Sequence, residues 1–539
     1  MQGVSLPSGR VLKTAHFAIH YTLAPTVHRP RFVTADSALL RQINTILQGS
    51  FSTTIKRDST VNAAFVDSIA PNYVRRAAVY FERAYSYYYT TLGMMLPNAQ
   101  GSSSVFFHTT NDGELLTVDI ADIGTADPDY NDSYYAITYP PAFDNGPSTY
   151  ASSTILLEND FLYFASVNSS GVVTGTPIQA NDANNQLLHN YTTDWEMGLK
   201  VTASHEFYHL VQYTYTPNPD YHAWYELSAV GMEERLAPEV NDYFQYLPSV
   251  LKHHETVSIM TLPPTTENYG NSMFHQFITQ TLGTGFDVKL WDLLRNNGND
   301  LPSALSAIAD SSGTSWTSLY SSYVAAIATA GRAGSTTTCT DTTSVIFSRD
   351  IRCWPTPSYD TLPKEGSAVN LSLAPTTFRL LKPSASSSTT RSVNSSGLGT
   401  PKNVFHNGSA YSSTSITFNP FNVPSDTATL FVSIPNASFS QSGQAILATR
   451  GTKYITAPNP VKLIGGATVA FFTPHSVTSG SMMNVVSESG LRVAELPFDS
   501  TNSAWSWNLK NKQGILVPPG AYYYQFPAQT PKTLLILPP

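Results

Sequence analysis

The spacing of apolar residues changes period near residue 333, and no single packed layer can serve both parts of the chain. Before about Arg332 many apolar residues recur at three- and four-residue steps. Beyond Ala333 they alternate, as in Val369, Leu371, Leu373 and in Leu430, Val432, Ile434. A 3.6-residue period buries a helical stripe and a 2-residue period buries one face of a sheet, so the two parts need separate cores. The length of 539 residues agrees, because domains of roughly 100–200 residues put about three in such a chain. The expected organisation is multidomain. An α+β domain spans 1–332, mixed sheet and helix to about 192 and mainly helical from 193. Two all-β modules follow, 333–457 (with a linker) and 458–539, both sandwich-like because short strands at this spacing need a second sheet to cover one face.

Within the first part, His16 to Tyr21 alternates as a short strand. Pro71 to Leu92 reads as a helix stopped by Gly93, and runs at Ser104 to His108 and Ser153 to Leu157 suit strands. The charge balance excludes some partners. Only 13% of residues are charged, against about 25% in an average chain, and the net charge is -8 with no Lys/Arg-rich block. Nothing would neutralise phosphates, so neither nucleic acid nor an anionic membrane is expected as a partner. No run approaches the ~20 apolar residues of a transmembrane segment. Low charge with many Ser, Thr, Asn and Tyr suits an exported protein, and Cys339 and Cys353, 14 apart, either close a small disulfide or remain two thiols. Met1 to Leu12 holds no signal-peptide core, so an exported protein would be represented here without its signal.

The chemistry concentrates at Ala203 to Gln212, A-S-H-E-F-Y-H-L-V-Q. Thr193 with Glu196 forms a candidate capping box and no proline intervenes before Pro217, so a helix is expected. His205 and His209, four apart, then share one face and can bind one zinc, while Glu206 can reach a water as general base. A hydrolytic site needs a third protein ligand and an open position. The metzincin continuation fails, since Gln212 and Tyr215 stand where its glycine and third histidine belong. After a turn at Pro217 to Tyr221, a second helix from Trp224 toward Pro238 would bring Glu226 back beside the first. Glu233, Glu234 and His222 are alternative ligands.

This arrangement resembles the gluzincins, in which the HExxH helix is followed by a helix carrying a glutamate ligand. Trp224 to Ala229 is similar to the W-x-x-E-G-x-A signature of aminopeptidase-like members, one residue shorter between Trp and Glu and with Leu227 for the glycine. Sixteen residues separate His209 from Glu226. The resemblance implies an α+β gluzincin-like metallopeptidase domain with His205, His209 and Glu226 as zinc ligands and Glu206 as base. Glu233, two turns after Glu226, would orient a ligand histidine. The segment from about Lys13 to Arg332 also resembles secreted bacterial metalloproteases, in which a strand like Ala15 to Tyr21 precedes the site and a segment like Tyr269 to Phe274 follows it. Tyr269 is therefore the candidate for steadying the oxyanion; His253, His254 and His275 could fill that role.

The strand Ser153 to Leu157 is expected at a sheet edge, where it could pair with an extended substrate; no residue is singled out for substrate binding. Asp127 to Asp132 places oxygens at alternate positions like the start of a calcium loop, without its sixth-position glycine or twelfth-position glutamate, so calcium is a candidate second ion. At the C-terminus, Asn484 to Leu496, Trp507, Tyr522 to Tyr524 and Lys532 to Leu537 resemble the immunoglobulin-like tail of secreted proteins in Bacteroidetes-like bacteria. Such tails are similar to the flagellar hook-capping module and act in sorting or cell-surface attachment. The function expected is an exported zinc metallopeptidase acting on a protein or peptide, secreted or held at the cell surface. The alternatives are a surface adhesin with a structural metal, and a zinc hydrolase of a non-peptide amide or ester.

Overall fold

Alternation along His16 to Tyr21 predicts a strand, and Phe17–Thr22 forms one, β2, paired antiparallel with β1 (Gly9–Lys13). The structure is a computed structural model that describes residues 9–24, 28–30, 69–95, 115–127, 130, 134–139, 155–161, 195–216, 218–260, 266–296, 300–331, 346–364, 367–382, 391–396, 401–407, 410–415, 429–449, 454–464, 466–473, 477, 480–499 and 504–539. The run Ser104 to His108 lies outside them. The chain divides into two units, one made of Met1–Pro248, Leu262–Ile308 and Gly334–Asp350, the other of Ser249–Thr261, Ala309–Ala333 and Ile351–Pro539.

In the first unit β2 runs parallel to β3 (Leu116–Ala121), β3 parallel to β5 (Ile155–Glu158), and β4 (Ala136–Thr138) antiparallel to β5, giving the order β1-β2-β3-β5-β4. This corrects one expectation. The strand at 153–157 is not an edge: β5 is enclosed between β3 and β4 with all four residues buried, as its unbroken Ile-Leu-Leu run suits. The edge on that side is β4, a three-residue strand. A parallel neighbour requires a crossover, and the one between β2 and β3 carries α1 (Asn72–Ser86). Helix α1 buries Tyr73, Val74, Ala77, Ala78, Phe81 and Ala84, widens into a π-type turn at Tyr87–Thr91, and ends where Gly93 takes φ 72°, a left-handed angle that suits glycine.

Helix α2 (Trp195–Tyr215) is buried at every position from Val201 to Gln212, as a helix enclosed on all sides must be. Half of the expected capping box can be followed. Thr193 lies outside the described residues, and Glu196 Oε1 accepts from the Tyr80 hydroxyl (2.7 Å) and pairs with Arg76 (3.0 Å) on α1. A turn at Pro219–Tyr221, with Asn218 Oδ1 accepting from the Asp220 amide, reverses the chain into α3 (His222–Leu236), which packs along α2. Three further helices, α4 (Thr266–Gly270), α5 (Ser272–Leu282) and α6 (Phe286–Asn296), belong to the same unit, α5 packing on α3 and α6 on α2. Contact between α3 and α5 is close enough that a Cβ on Gly231 would lie 1.9 Å from His275 Nδ1, so only hydrogen fits there.

The second unit holds the sandwich-like sheets. A five-stranded sheet built on β6 (Thr429–Pro435) and a three-stranded sheet centred on β7 (Gly443–Thr449) enclose Leu362, Leu371, Leu373, Leu381, Ile434 and Leu447. Beyond residue 454, a three-stranded and a five-stranded sheet share a core that includes Val469, Phe471, Val485, Trp505, Trp507 and Phe526. Helix α7 (Trp316–Ile327), capped by the Ser315 hydroxyl at the Ser318 amide, belongs to this unit although it precedes the change of composition. Trp316 Nε1 donates to the Ala437 carbonyl (2.7 Å) and the Tyr320 hydroxyl to that of Thr376 (2.6 Å). Cys353 is disulfide-bonded, and Cys339 lies outside the described residues. None of the described helices is long and apolar enough to cross a membrane.

Candidate metal centre

The two residues between Glu206 and His209 fix how α2 is rotated. Phe207 packs edge-on against Phe17 of β2 (5.3 Å) and stacks with Tyr85 and Tyr88 (both 5.8 Å). On the side of α6, the Tyr208 hydroxyl accepts from Trp291 Nε1 (2.8 Å) and donates to Asp287 (3.3 Å). The Tyr88 hydroxyl also ties the Ser204 carbonyl (2.7 Å). With those faces taken by the core, His205 and His209 turn toward α3 and meet Glu226.

The donor atoms converge. His205 Nε2 and His209 Nε2 are 2.9 Å apart, and Glu226 Oε2 lies 3.2 Å from the first and 3.6 Å from the second. Tetrahedral zinc with bonds of about 2.0–2.1 Å would place its ligand atoms about 3.3 Å apart, so the three spacings bracket the required edge. Among the described residues, these three form the group able to hold a metal ion.

The partners of the far nitrogens decide which atoms face inward. His205 Nδ1 lies 2.6 Å from Glu233 Oε1 and donates to it. His209 Nδ1 lies 2.7 Å from Gln212 Oε1. The other end of Gln212 is 3.0 Å from the Tyr225 carbonyl, which only accepts, so that end is the amide nitrogen and Oε1 must face the histidine. Both Nδ1 atoms therefore carry hydrogen, and neutral imidazoles point two Nε2 lone pairs at each other. That encounter is repulsive unless positive charge lies between them. Titration agrees. Burial opposes protonation of His205, yet hydrogen bonds to Glu226 and Glu233 outweigh it and raise its pKa well above the ordinary value. Burial alone would raise the pKa of Glu226, but the two histidines hold it well below the usual carboxylate range. Without a metal, a proton on His205 supplies the charge that the donor set demands.

Glu206 is buried beside the cluster, its Oε2 2.6 Å from the Thr138 hydroxyl on the edge strand β4, which also lies 2.9 Å from the Glu206 carbonyl. Tyr269, on α4, stacks over His205 (5.8 Å) and Tyr246 (5.0 Å). Burial and then the charge of Glu226 lift its pKa well above the ordinary value, so it stays neutral. Tyr213 stacks on His209 (6.2 Å), and its pKa is raised by burial and next by Glu226.

The alternative ligands stand elsewhere. Glu234 pairs with Arg349 at 3.4 Å, away from the histidines. His222 Nε2 is 3.8 Å from Glu226 Oε1 and lies outside the converging group. His275 is bound to Asp287 (2.7 Å), while His254, in the second unit, is held between the carbonyls of Phe378 (2.9 Å) and Ser358 (3.0 Å). His253 also belongs to the second unit. Most of the candidate calcium loop lies outside the described residues; Asp127, which is described, accepts from the Tyr139 hydroxyl (2.7 Å). The sequence reading did not single out Gln212 or Thr138. Gln212 was recoverable in principle, three residues after His209 on the same helix.

Asp242 adds a measurable property. Burial and the charge of Glu233 push its pKa up to about 8, against hydrogen bonds from Tyr135 (3.2 Å) and Gln245 (2.9 Å). An unfolded Asp titrates near ~3.9, so this raised group contributes stability that is complete below pH ~4 and lost as pH rises through its folded value. Asp242→Asn keeps a neutral group, and the melting temperature of the metal-free variant should fall less between pH 5 and 8 than that of the wild type. Equal slopes would remove Asp242 as the source.

No family model matches the sequence, and no curated protein does. Among solved structures, one similarity is to PorZ, described as an essential bacterial surface component of the type-IX secretion system of Porphyromonas gingivalis. It covers 17% of this chain and 14% of that one at 15% identity, with a TM-score of 0.13, and carries no argument about fold or function.

Proposed function

We propose that this chain is an exported zinc-dependent metallopeptidase of gluzincin type. The observation that carries the reading is the convergence of two Nε2 lone pairs and the Glu226 carboxylate, with the acid-base group Glu206 next to them and outside the donor set. In this reading His205, His209 and Glu226 hold zinc, Glu233 and Gln212 fix the two imidazoles, and the site keeps an open position. His222, the residue that would close it as a structural site, is directed at Glu226 instead. Zinc, when bound, acidifies water to a pKa of about 7 and polarises a carbonyl. Glu206 takes the proton from the attacking water and passes it to the leaving amine, while Thr138 holds its carboxylate in place. Tyr269, stacked over His205, steadies Glu226. The substrate is a protein or peptide, and the C-terminal β module serves as an immunoglobulin-like tail for sorting or surface attachment.

Elemental mass spectrometry tests the ligand set. Wild-type protein should carry about one zinc per chain, His205→Ala and His209→Ala little, since each removes one of three protein ligands. A wild-type chain that takes up no zinc even after reloading would sink the proposal, and calcium content in the same run tests the second ion.

A further inference from the structure

Helix α2 carries a third side chain on the face of its two histidines. His205, His209 and Tyr213 follow at four-residue steps, each of which advances only ~40° around the axis, so all three look toward α3. The Tyr213 ring is held from two directions. It lies nearly parallel to His209, with ring centroids 6.2 Å apart and planes 19° apart, and Tyr225 of α3 meets it edge-on at 5.5 Å. Tyr225 is itself fixed by stacking on Trp291 (5.6 Å) and by its hydroxyl, which accepts from the Asn218 amide (3.0 Å) and donates to the Thr216 carbonyl. The clamp thus joins both helices that bear the metal-binding residues.

The phenol at the end of this clamped ring has no hydrogen-bond partner among the described residues, and it is not sealed from solvent. It is close enough to Glu226 and Glu206 for both charges to act on it. Tyr269 is placed differently: its ring is sandwiched by His205 (5.8 Å) and Tyr246 (5.0 Å). A ring held between a ligand histidine and a neighbouring helix helps fix the donor set; a rigid donor with no protein partner is available to an incoming group.

The geometry points to Tyr213 as a catalytic residue that donates a hydrogen bond to the carbonyl oxygen of the scissile amide as that oxygen takes on charge, with Tyr269 acting as a positioning residue for Glu226. The inference rests on the peptidase reading and adds a named donor to it. In the step concerned, the water oxygen forms a bond to the carbonyl carbon, the C=O π pair moves onto oxygen, and the water proton goes to Glu206. Tyr213 shares its hydrogen without transferring it, so charge and protons balance. A ring that merely packed on His209 would serve equally well without its hydroxyl, and the test turns on that difference.

The experiment compares full-length, zinc-loaded wild type, Tyr213→Phe and Tyr269→Phe on a fluorescence-quenched peptide containing a bond that the wild type cuts in unfolded casein. For Tyr213→Phe we expect zinc content and melting temperature like wild type, KM within about threefold, and kcat lower by ~10²-fold, the scale of losing one oxyanion donor. Tyr269→Phe should instead weaken zinc retention during dialysis against a chelator. A Tyr213→Phe enzyme with kcat close to wild type overturns the catalytic role and leaves the peptidase reading standing, and so does a loss of activity that tracks loss of zinc. A zinc-loaded wild type that cuts no bond in casein removes the peptidase reading, and the role of Tyr213 goes with it.

Discussion

Glu206→Gln should retain zinc like the wild type and lose peptide hydrolysis by about 10²–10⁴-fold, the cost of a missing general base. The separation of the two effects follows from geometry. Glu206 contributes no atom to the triangle formed by His205, His209 and Glu226, so metal binding does not need it. Its carboxylate is held by the Thr138 hydroxyl at 2.6 Å, and a glutamine oxygen can accept the same hydrogen bond, so the local structure has no reason to change. The amide cannot take a proton from water at neutral pH. Zinc content by mass spectrometry and casein cleavage, measured on the same preparation, read both halves. A variant that still cuts at near wild-type rate would assign the base elsewhere, and one that loses zinc as well would make Glu206 a structural part of the centre.

Asp287→Ala should destabilise the helices around the site by about 3–5 kcal/mol, the usual cost of stripping one partner from a buried charge pair. Asp287 is fully buried. His275 Nε2 lies 2.7 Å from its Oδ1, Arg235 Nη2 2.9 Å from its Oδ2 as an ion pair off ideal hydrogen-bond geometry, and the Tyr208 hydroxyl 3.3 Å from Oδ1. Burial disfavours its charge, but His275 and Arg235 outweigh that and lower its pKa to about 2. A depressed carboxyl contributes stability that is present above its unfolded pKa of ~3.9 and lost as pH falls through its folded value, so at neutral pH the whole contribution is at stake. Hydrogen exchange along α2 and α6 reports the loss where it occurs. Protection factors that change less than tenfold, about 1.4 kcal/mol, would show that the cluster matters little.

How far the sequence disclosed this site depends on the distance over which each feature is encoded. The helix carrying His205 and His209 was legible because the breaker signals and the four-residue spacing are local. Glu226 was also legible, since a turn of few residues leaves the next helix little choice but to return alongside. Thr138 was not. It sits on a three-residue strand with no periodicity of its own, and its contact with Glu206 exists only because β4 pairs outside β5. For the same reason the expectation of a sheet edge at 153–157 fails. A short apolar run says that a strand is buried, while its neighbours in the sheet are chosen by segments far away in sequence. The alternating pattern after residue 333 announced sheets correctly, but it gave no sign that α7 would join them.

Helix α7 belongs to the β-rich unit, and this matters most while the chain is being made. The backbone partner of Trp316 lies 121 residues further on, at Ala437. At a synthesis rate of roughly 5–20 residues per second, the face of α7 leaves the ribosome about 6–24 s before the residue that receives its indole hydrogen. The short segment Ser249–Thr261 emerges earlier still and waits for the same sheets. The second unit therefore cannot complete its packing until residue 437 has been made, and the apolar face of α7 stays without its sheet for that interval.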